Sequence, residues 1–425
     1  MKTDILIIGA GPAGLAAAQS AAQSGARVDV IDDNFRSGGQ IWRGGADSNQ
    51  DQRARALWQN LSENKKVHFH FQTRVVHAKS AHEILTEDHQ KARLFECQKL
   101  ILATGARELL LPFPGWTLPG VTGAGGLQAL AKNGYPVAGK RIVVAGSGPL
   151  LLAVAASLIE RGALVTHILE QASLPQLGRF ALSLLATPDK LFQALQLAKK
   201  LSSASYSSNS YVSAAHSDVN QQLSTVSVNI QGRQQNIACD YLACGYGLLP
   251  NSELAASLTC ALALTASHPK VKVDQWQGTS IENVYAAGES TGIGGVDLAL
   301  AEGAIAGFSA TGNQNKARQY FKQRQTGLKF SQKLARYFSL RPELHQLCAA
   351  DTLVCRCEDV SYAQLLAHDN WRSAKLHTRC GMGACQGRIC GAATQTLFNW
   401  DKDAGRLPFS NARITSLCER QEDAH

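Results

Sequence analysis

The sequence predicts an α/β fold with two Rossmann-like dinucleotide-binding domains and a small, helical C-terminal domain rich in cysteine. Two segments, near residues 4–32 and 141–170, each contain a strand, a glycine-rich loop, a helix and a second strand that ends in an acidic residue. Five of the eleven cysteines lie between Cys355 and Cys390. The 425 residues are too many for one hydrophobic core, because domains contain roughly 100–200 residues each.

The first glycine loop, residues 9–14, joins a strand over 4–8 to an alanine-rich helix that extends to about residue 24. Its first glycine permits a tight turn, the second lets the backbone approach a pyrophosphate, and the third lets helix and strand pack closely. The helix N-terminus offers free N–H groups to phosphates. The next strand ends in two carboxylates, at the distance where such a group binds ribose. The expected contacts are Gly9, Gly11, Pro12, Ala13, Gly14, Asp32 and Asp33.

A second unit of this kind starts with a strand over 141–145 and continues with the loop Gly146-Ser147-Gly148-Pro149. A helix over 150–159 and a strand over 163–169 follow, and the strand ends at Glu170. Leu151 stands where the third glycine would be, so helix and strand cannot approach as closely. We expect a second dinucleotide fold with Gly146, Gly148 and Glu170 as tentative contacts, and NAD, ATP or no ligand remain open.

Two further segments carry glycine after a short apolar strand. The strand over 99–102 leads into Ala103-Thr104-Gly105, and the strand over 283–287 leads into Gly288-Glu289 and the glycines before a helix near residue 297. The order of these motifs resembles the two-dinucleotide-domain flavoprotein family that includes thioredoxin reductase and glutathione reductase. The resemblance implies FAD, with Glu289 facing the ribityl chain. It implies further FAD contacts at Gly39, Gln40, Ala103, Thr104, Gly105, Gly288 and Gly295.

Disulfide reductases of that family need a cysteine pair beside the flavin. Cys239 and Cys244 have four residues between them, but they lie on predicted strands at the return crossover between domains, around residues 245–250. We therefore interpret both as structural, and a disulfide reductase is not favoured.

The cysteine-rich segment contains Cys355 and Cys357, then a predicted helix from residue 362, then Cys380, Cys385 and Cys390. Thiolates from two loops suit a small metal cluster. The segment resembles the bacterioferritin-associated-ferredoxin-like 2Fe–2S domain, through the lysine, threonine and glycines of residues 375–383. That resemblance implies a 2Fe–2S cluster held by Cys355, Cys357, Cys385 and Cys390, with Cys380 as the alternative ligand. Zinc is the other metal that four thiolates accommodate.

Segments 39–43, 114–121 and 380–383 extend a narrower resemblance over almost the whole chain. They are similar to the alpha subunits of heteromeric bacterial amine and amino-acid dehydrogenases, such as opine oxidases, D-hydroxyproline dehydrogenase and hydrogen cyanide synthase. This resemblance implies a partner beta subunit of the glycine-oxidase-like flavoprotein type. A further candidate partner is a small ferredoxin-like subunit. The beta subunit would oxidise the substrate, so no catalytic residue is assigned in this chain.

Three functions follow from these motifs and from the resemblances they imply. The first is an electron-transfer subunit of a dehydrogenase that oxidises an amino acid, an imino acid or an opine at the partner's flavin. The second is a stand-alone NAD(P)H-dependent FAD/2Fe–2S reductase of a small redox protein. The third is a structural scaffold that binds zinc and nucleotide. The first is favoured because no general base stands beside the flavin motifs.

The motifs also predict domain boundaries. Residues 66–98 alternate apolar and polar positions and are expected to form a small antiparallel insertion. The domains are expected at 1–115 and 246–312 (FAD), 116–245 (second dinucleotide), 313–350 (basic helical linker), and 351–425 (2Fe–2S domain and tail).

Most of the formal charge of +9 lies in one segment of the chain. Segment 313–350 carries four Lys and four Arg against one Glu, at helical spacing with aromatic residues. A linker helix with a solvated basic face is favoured over an interface with an acidic partner, and nucleic acid is not expected because no groove-reading motif accompanies the charge.

The apolar run over 5–8 ends at Gly9 and is too short for a signal peptide. We expect a cytoplasmic protein without direct membrane insertion, associated with a membrane only through its complex.

Overall fold

The computed structural model describes residues 1–43, 51–185, 192, 196, 197, 199–264, 268–401, 408 and 410–418. The chain divides into two compact units. Unit 1 contains Met1–Arg107, Leu249–Ser331 and Ala404–His425, and unit 2 contains Glu108–Leu248 and Gln332–Asp403. Among the described residues, no helix is long and apolar enough to span a membrane.

Helices and strands are numbered along the chain. The described helices are α1 Pro12–Gln23, α2 Gln52–Ser62, α3 Ala124–Lys132, α4 Leu150–Ile159, α5 Leu174–Leu184, α6 Glu253–Ser257, α7 Gly295–Ala310, α8 Gln314–Arg318, α9 Phe321–Tyr337, α10 Tyr362–Leu366, α11 Trp371–Thr378, α12 Cys390–Phe398 and α13 Ile414–Cys418. The strands are β1 Lys2–Ile8, β2 Val28–Ile31, β3 Val67–His70, β4 Arg74–Ser80, β5 Glu83–Glu87, β6 Ala92–Leu102, β7 Ala106–Glu108, β8 Val121–Gly123, β9 Arg141–Gly146, β10 Leu164–Glu170, β11 Ser205–Ser207, β12 Ser210–Ser217, β13 Leu223–Ile230, β14 Arg233–Ala238, β15 Tyr241–Gly245, β16 Leu248–Pro250, β17 Leu262–Leu264, β18 Pro269–Val271, β19 Val284–Ala286, β20 Leu353–Cys355 and β21 Val360–Ser361.

The main sheet of unit 1 has the order β3-β2-β1-β6-β5-β4, and β19 also pairs with β6. The strands β3, β2, β1, β6 and β19 pair in parallel, whereas β4, β5 and the first half of β6 form an antiparallel meander. The predicted antiparallel insertion over 66–98 is therefore wrong at its start. Val67 pairs in parallel with Val28 and belongs to the dinucleotide sheet.

Close packing of helices α1 and α7 in unit 1 determines where the two glycine loops lie. A Cβ on Gly303 of α7 would lie 2.1 Å from Ala13 O, and one on Gly307 would lie 2.3 Å from Ala17 O. Real Cβ atoms cannot approach backbone oxygens so closely, so only glycine lets α7 rest against α1 at this distance. The flavin-type loop before α7 is thereby held beside the loop that starts α1.

Unit 2 is built on a five-stranded sheet with the order β11-β10-β9-β15-β8, and a separate three-stranded sheet has the order β12-β13-β14. The central strand β9 reads as a continuous apolar run, and Ile142, Val143 and Val144 are all fully buried. Such runs are typical of parallel strands covered on both faces.

The expected domain boundaries at residues 115, 245, 312 and 350 differ from the unit boundaries, which fall after residues 107, 248, 331 and 403. The cysteine-rich segment belongs to unit 2 because it packs on the second dinucleotide fold. Trp116 Nε1 donates to Leu353 O at 2.6 Å, and Cys348 Sγ lies 3.3 Å from Pro112 O.

Candidate cofactor-binding sites

The first glycine loop is shaped by close backbone contacts. Gly9 has φ +108°, and a Cβ there would lie 2.2 Å from Ala103 O. A Cβ on Gly14 would lie 1.8 Å from Gly9 O. Both glycines are thus required by the fold itself, as the spacing of the motif predicts.

Gly11 has a different environment. Its backbone is extended (φ −75°, ψ −176°), and a Cβ there would meet only Gly39 Cα, at 3.9 Å. Gly39 follows Gly38, and both have positive φ, so the loop of residues 38–40 turns towards the glycine loop. The fold leaves an open approach to the backbone at Gly11, which is the feature a pyrophosphate requires.

The acidic residue after β2 is buried and hydrogen-bonded to the backbone around it. Asp32 Oδ2 accepts from Ala10 N at 2.6 Å, and Asp32 Oδ1 accepts from Asn34 N at 2.8 Å and from Asn34 Nδ2 at 2.7 Å. The carboxylate therefore ties the glycine loop to the end of β2. Asp33, the next residue, is exposed.

An open surface pocket adjoins this loop. Its lining includes Gly39, Arg36 and Arg43. Arg43 Nη2 donates to Asn34 Oδ1 at 3.2 Å and to Gln40 Oε1 at 3.1 Å. Its buried Nε–H has no hydrogen-bond partner among the described residues. A buried guanidinium N–H without an acceptor fits a phosphate oxygen.

No motif in the sequence marks Asn251 as a site residue. Its side-chain Nδ2 donates to Thr104 O at 2.9 Å, and its backbone N donates to Gly105 O at 2.9 Å. Thr104 Oγ1 donates to Asn251 O at 2.7 Å, and Arg107 Nη1 donates to Asn251 Oδ1 at 2.7 Å. Asn251 therefore sets the backbone of the Ala103-Thr104-Gly105 turn, although it stands far from that turn in the sequence.

The second flavin-type loop contains Gly288 (φ +76°) and the half-buried Glu289. The Glu289 carboxylate receives no hydrogen bond from any described residue, and burial raises its pKa to about 6. A half-buried acid without a donor fits a polyol that brings its own hydroxyl groups. The Glu289 carboxylate, the open approach at Gly11 and the free N–H of Arg43 together fit FAD.

Glu289→Gln is expected to stabilise the FAD-free protein more at pH 8 than at pH 5. A raised pKa means that the folded chain binds the proton more tightly than the unfolded chain. The free energy of unfolding therefore falls as pH rises from about 4.5 to about 6, and stays lower above that. Glutamine does not titrate, so the gain at pH 8 is on the order of 2 kcal/mol. Urea unfolding of both proteins at both pH values measures it, and an equal difference at the two pH values would contradict the assignment.

The second glycine loop also binds its acidic residue. Gly148 N donates to Glu170 Oε2 at 2.7 Å, and Ala172 N donates to Glu170 Oε1 at 2.9 Å. Glu170 is 2% exposed, and burial raises its pKa to about 7. A Cβ on Gly146 would lie 1.9 Å from Gly245 O, so this turn too depends on glycine.

Residues of the chain itself cover this second loop. Ser147 Oγ donates to Phe338 O at 3.2 Å, and Gln171 Nε2 donates to Ser339 O at 2.8 Å. A Cβ on Gly148 would meet the Phe338 ring at 3.5 Å, and that ring packs edge-to-face on Phe180 with centroids 4.9 Å apart. The sequence leaves open whether NAD, ATP or no ligand binds here. In the structure, the groove beside Gly146 and Gly148 holds residues 338–341 instead.

Arg341 is the last residue of segment 338–341, which covers the second glycine loop. Arg341 N donates to Gln171 Oε1 at 2.9 Å, and Arg341 Nη1 donates to Asn209 Oδ1 at 3.0 Å. Its guanidinium also lies 4.8 Å from the centroid of the Tyr211 ring. A nucleotide that reached the loop would have to displace all of these contacts.

The five clustered cysteines come together in unit 2. Cys355, Cys380 and Cys390 are buried, and their sulfur atoms lie within 4.8 Å of one another. Cys385 is half-buried and interacts with Cys390, while Cys357 is exposed and interacts with Cys385. Hydrogen bonding from Cys380 lowers the pKa of Cys355, and hydrogen bonding from Cys390 lowers the pKa of Cys385 to about 5. The alternative ligand Cys380 thus lies deeper in the group than the predicted ligand Cys357.

Two glycines and an ion pair bring the two cysteine loops together. A Cβ on Gly383 would lie 2.2 Å from Cys357 Cβ, and one on Gly381 would lie 2.5 Å from the Trp371 ring. Arg379 Nε donates to Glu358 Oε2 at 2.7 Å. Five sulfur atoms held in this way fit a metal group with four thiolate ligands, either an iron–sulfur cluster or zinc.

Cys239 and Cys244 are buried free thiols. Burial raises the pKa of Cys239 to about 12 and that of Cys244 further, so neither forms a reactive thiolate near neutral pH. The structural role expected for both agrees with this environment.

Fold and site together define a flavin-dependent oxidoreductase. Over residues 3–306 the chain matches the pyridine nucleotide-disulphide oxidoreductase family. The chain belongs to this family, and to the group of FAD-dependent oxidoreductases that includes opine oxidase. This confirms the predicted α/β fold with Rossmann-like domains and the predicted class of enzyme, while the iron–sulfur domain stays a prediction.

Two curated relatives match nearly the whole chain. An opine oxidase subunit of Rhizobium meliloti (strain 1021) is 30% identical over 428 residues, covering 93% of this chain and 92% of that protein. Hydrogen cyanide synthase subunit HcnB of Pseudomonas protegens is 29% identical over 424 residues, covering 92% and 90%.

Solved structures show the same fold. The L-proline dehydrogenase of P. horikoshii superposes with a TM-score of 0.69 at 18% identity, covering 98% of this chain and 79% of that one. The thioredoxin reductase of T. acidophilum superposes with a TM-score of 0.55 at 20% identity, covering 74% and 99%.

Proposed function

We propose that this chain is the electron-transfer flavoprotein and iron–sulfur subunit of a heteromeric dehydrogenase. The substrate would be an amino acid, an imino acid or an opine, oxidised at the flavin of a partner beta subunit of the glycine-oxidase type. The relatives support a partner, because each is named as a subunit: of hydrogen cyanide synthase, of opine oxidase and of sarcosine oxidase.

The contrast between the two glycine loops carries the proposal. At the first loop the approach to Gly11 is open, and the Glu289 carboxylate receives no hydrogen bond from the described residues. At the second loop, Phe338 and Ser339 receive hydrogen bonds from Ser147 and Gln171. A chain that offers a place for FAD but covers its nicotinamide-type loop is suited to receive electrons from another protein.

The residues proposed to hold FAD are those of the two flavin-type loops and the turns beside them. Gly9, Gly11 and Gly14 shape the pyrophosphate site, Asp32 and Asp33 the ribose site, and Glu289 the ribityl site. The other proposed contacts are Pro12, Ala13, Gly39, Gln40, Ala103, Thr104, Gly105, Gly288 and Gly295. Bound FAD would accept electrons in pairs and release them singly.

The metal proposed for the cysteine group is a 2Fe–2S cluster held by Cys355, Cys357, Cys385 and Cys390, with Cys380 as the alternative ligand. Such a cluster carries single electrons. A redox metal is favoured over zinc because the group belongs to a flavin-dependent oxidoreductase.

Anaerobic mixing of the purified chain with NADH tests this function against the stand-alone NAD(P)H reductase. The flavin absorption is expected to persist at every NADH concentration, while dithionite, as the control reductant, bleaches it. Rapid bleaching by NADH or NADPH would show that a nicotinamide reaches the flavin, and the subunit proposal would then be abandoned.

A further inference from the structure

Glu302 is a buried acid that the sequence did not single out. It lies on α7 and is 1% exposed. Its Oε2 accepts from Gly288 N at 3.0 Å and from Thr291 Oγ1 at 2.7 Å. One carboxylate oxygen therefore holds both ends of the short turn that contains Glu289.

The other oxygen of Glu302 faces a cation. Arg324 Nε of α9 lies 3.6 Å from Glu302 Oε1, and the Arg324 side chain is 18% exposed. The side-chain amide of Gln277 is oriented so that two hydrogen bonds form. Its oxygen accepts from Arg324 Nε at 2.9 Å, and its nitrogen donates to Ala286 O at 2.9 Å. Burial raises the pKa of Glu302, and the hydrogen bond from Thr291 and the charge of Arg324 oppose that rise.

The turn held by Glu302 has little room to move. A Cβ on Gly288 would lie 2.7 Å from Ala13 Cβ, so Gly288 already touches the helix that begins at the first glycine loop. The neighbouring Gly303 fixes α7 against Ala13 O. With both sides in contact, the hydrogen bonds to Glu302 decide where Gly288 N–H points and where the Glu289 side chain begins.

We propose that Glu302, neutralised by Arg324, is a positioning residue that presents Glu289 to the ribityl chain of FAD. The inference rests on the FAD site proposed above and adds two residues to it. Neither residue is proposed to contact the flavin itself. Glu302 acts through the backbone of Gly288, and the positive charge of Arg324 offsets that of the buried Glu302 carboxylate, since an unpaired buried charge would be costly.

Glu302→Gln in the full-length chain tests the inference. Glutamine has the same size and its carbonyl oxygen can still accept from Gly288 N, but it leaves Arg324 without a counter-charge. The dissociation constant of FAD is expected to rise at least tenfold, measured by flavin fluorescence on reconstitution. At full FAD occupancy the flavin midpoint potential is expected to rise, because a negative charge near the flavin has been removed. Glu282→Gln, which changes an exposed acid of the same unit, is the matched control and should change neither value.

Arg324→Gln provides the second variant, in case Glu302→Gln does not fold. It leaves the buried carboxylate without its cation, so FAD affinity is expected to fall at pH 8 and to recover partly as pH is lowered and Glu302 becomes protonated. If Glu302→Gln binds FAD within twofold of the wild type and has the same midpoint potential at full occupancy, the inference is wrong. A wild-type chain that binds no FAD would instead refute the proposed function.

Discussion

Gly11→Val is expected to yield a folded chain that no longer binds FAD. The extended backbone at Gly11 accepts any residue, and the nearest atom to a new Cβ is Gly39 Cα at 3.9 Å. The fold therefore tolerates the side chain, and the free energy of unfolding of the FAD-free protein should stay within about 1 kcal/mol of the wild type. The valine methyl groups would fill the space through which a pyrophosphate reaches the backbone. FAD affinity should fall by roughly 100-fold or more, since each 1.4 kcal/mol lost is tenfold.

Gly14→Ala should give a different result, although the change is smaller. The new Cβ would lie 1.8 Å from Gly9 O, and neither atom belongs to a flexible side chain. Helix α1 must move away from β1, which costs on the order of 3 kcal/mol or more. Stability and FAD binding are both expected to fall. Gly178→Ala on α5 is the control, because nothing lies within 4 Å of its Cβ.

Urea unfolding and FAD titration of the three glycine variants separate the two roles. A Gly11→Val chain that binds FAD as tightly as the wild type would place the pyrophosphate elsewhere. A Gly14→Ala chain of wild-type stability would mean that helix and strand can separate without cost.

Cys355→Ser is expected to remove iron and acid-labile sulfide from the chain while FAD stays bound. Cys355 is buried against Cys380 and Cys390, so its loss removes a central thiolate from the group. The cysteines lie in unit 2 and the flavin loops in unit 1, which is why the FAD content should not change. Cys357→Ser should have the same outcome, because Cys357 is a proposed ligand.

Cys418→Ser, at an exposed cysteine of α13 in unit 1, is the control and should keep its metal. Cys380→Ser decides the ligand set: retention of iron supports Cys357 as the fourth ligand, and loss of iron supports Cys380. Iron, zinc and sulfide analysis of each purified variant gives the answer. Zinc without iron in the wild-type chain would contradict the 2Fe–2S proposal.

The glycine motifs could be read from the sequence because they express local backbone requirements. Gly9 and Gly14 are needed where a turn and a helix meet a strand, and their spacing is set by neighbours close in sequence. The helix that the sequence predicts over 150–159 has the same bounds in the structure. Local periodicity did not show that Val67 joins the parallel sheet, because the choice of pairing partner is made by the tertiary fold.

The residues that no sequence motif indicates contact residues that lie far from them in the sequence. Asn251 binds Thr104, Phe338 covers Gly148, and Glu302 binds Gly288 through side chains that follow no motif. No periodic pattern marks such contacts. For Glu302, one signal was available: a charged residue within an apolar, glycine-rich helix, where a buried acid needs partners.

The most direct test of the proposed function is purification of the tagged chain from its native host, followed by cofactor analysis and anaerobic reduction with amino acids and opines. We expect a second flavoprotein of the glycine-oxidase type to co-purify. We also expect an amino acid, imino acid or opine to bleach the FAD of this chain only within that complex. A chain that purifies alone and whose FAD is bleached by NADH would contradict the proposed function and identify a self-sufficient reductase.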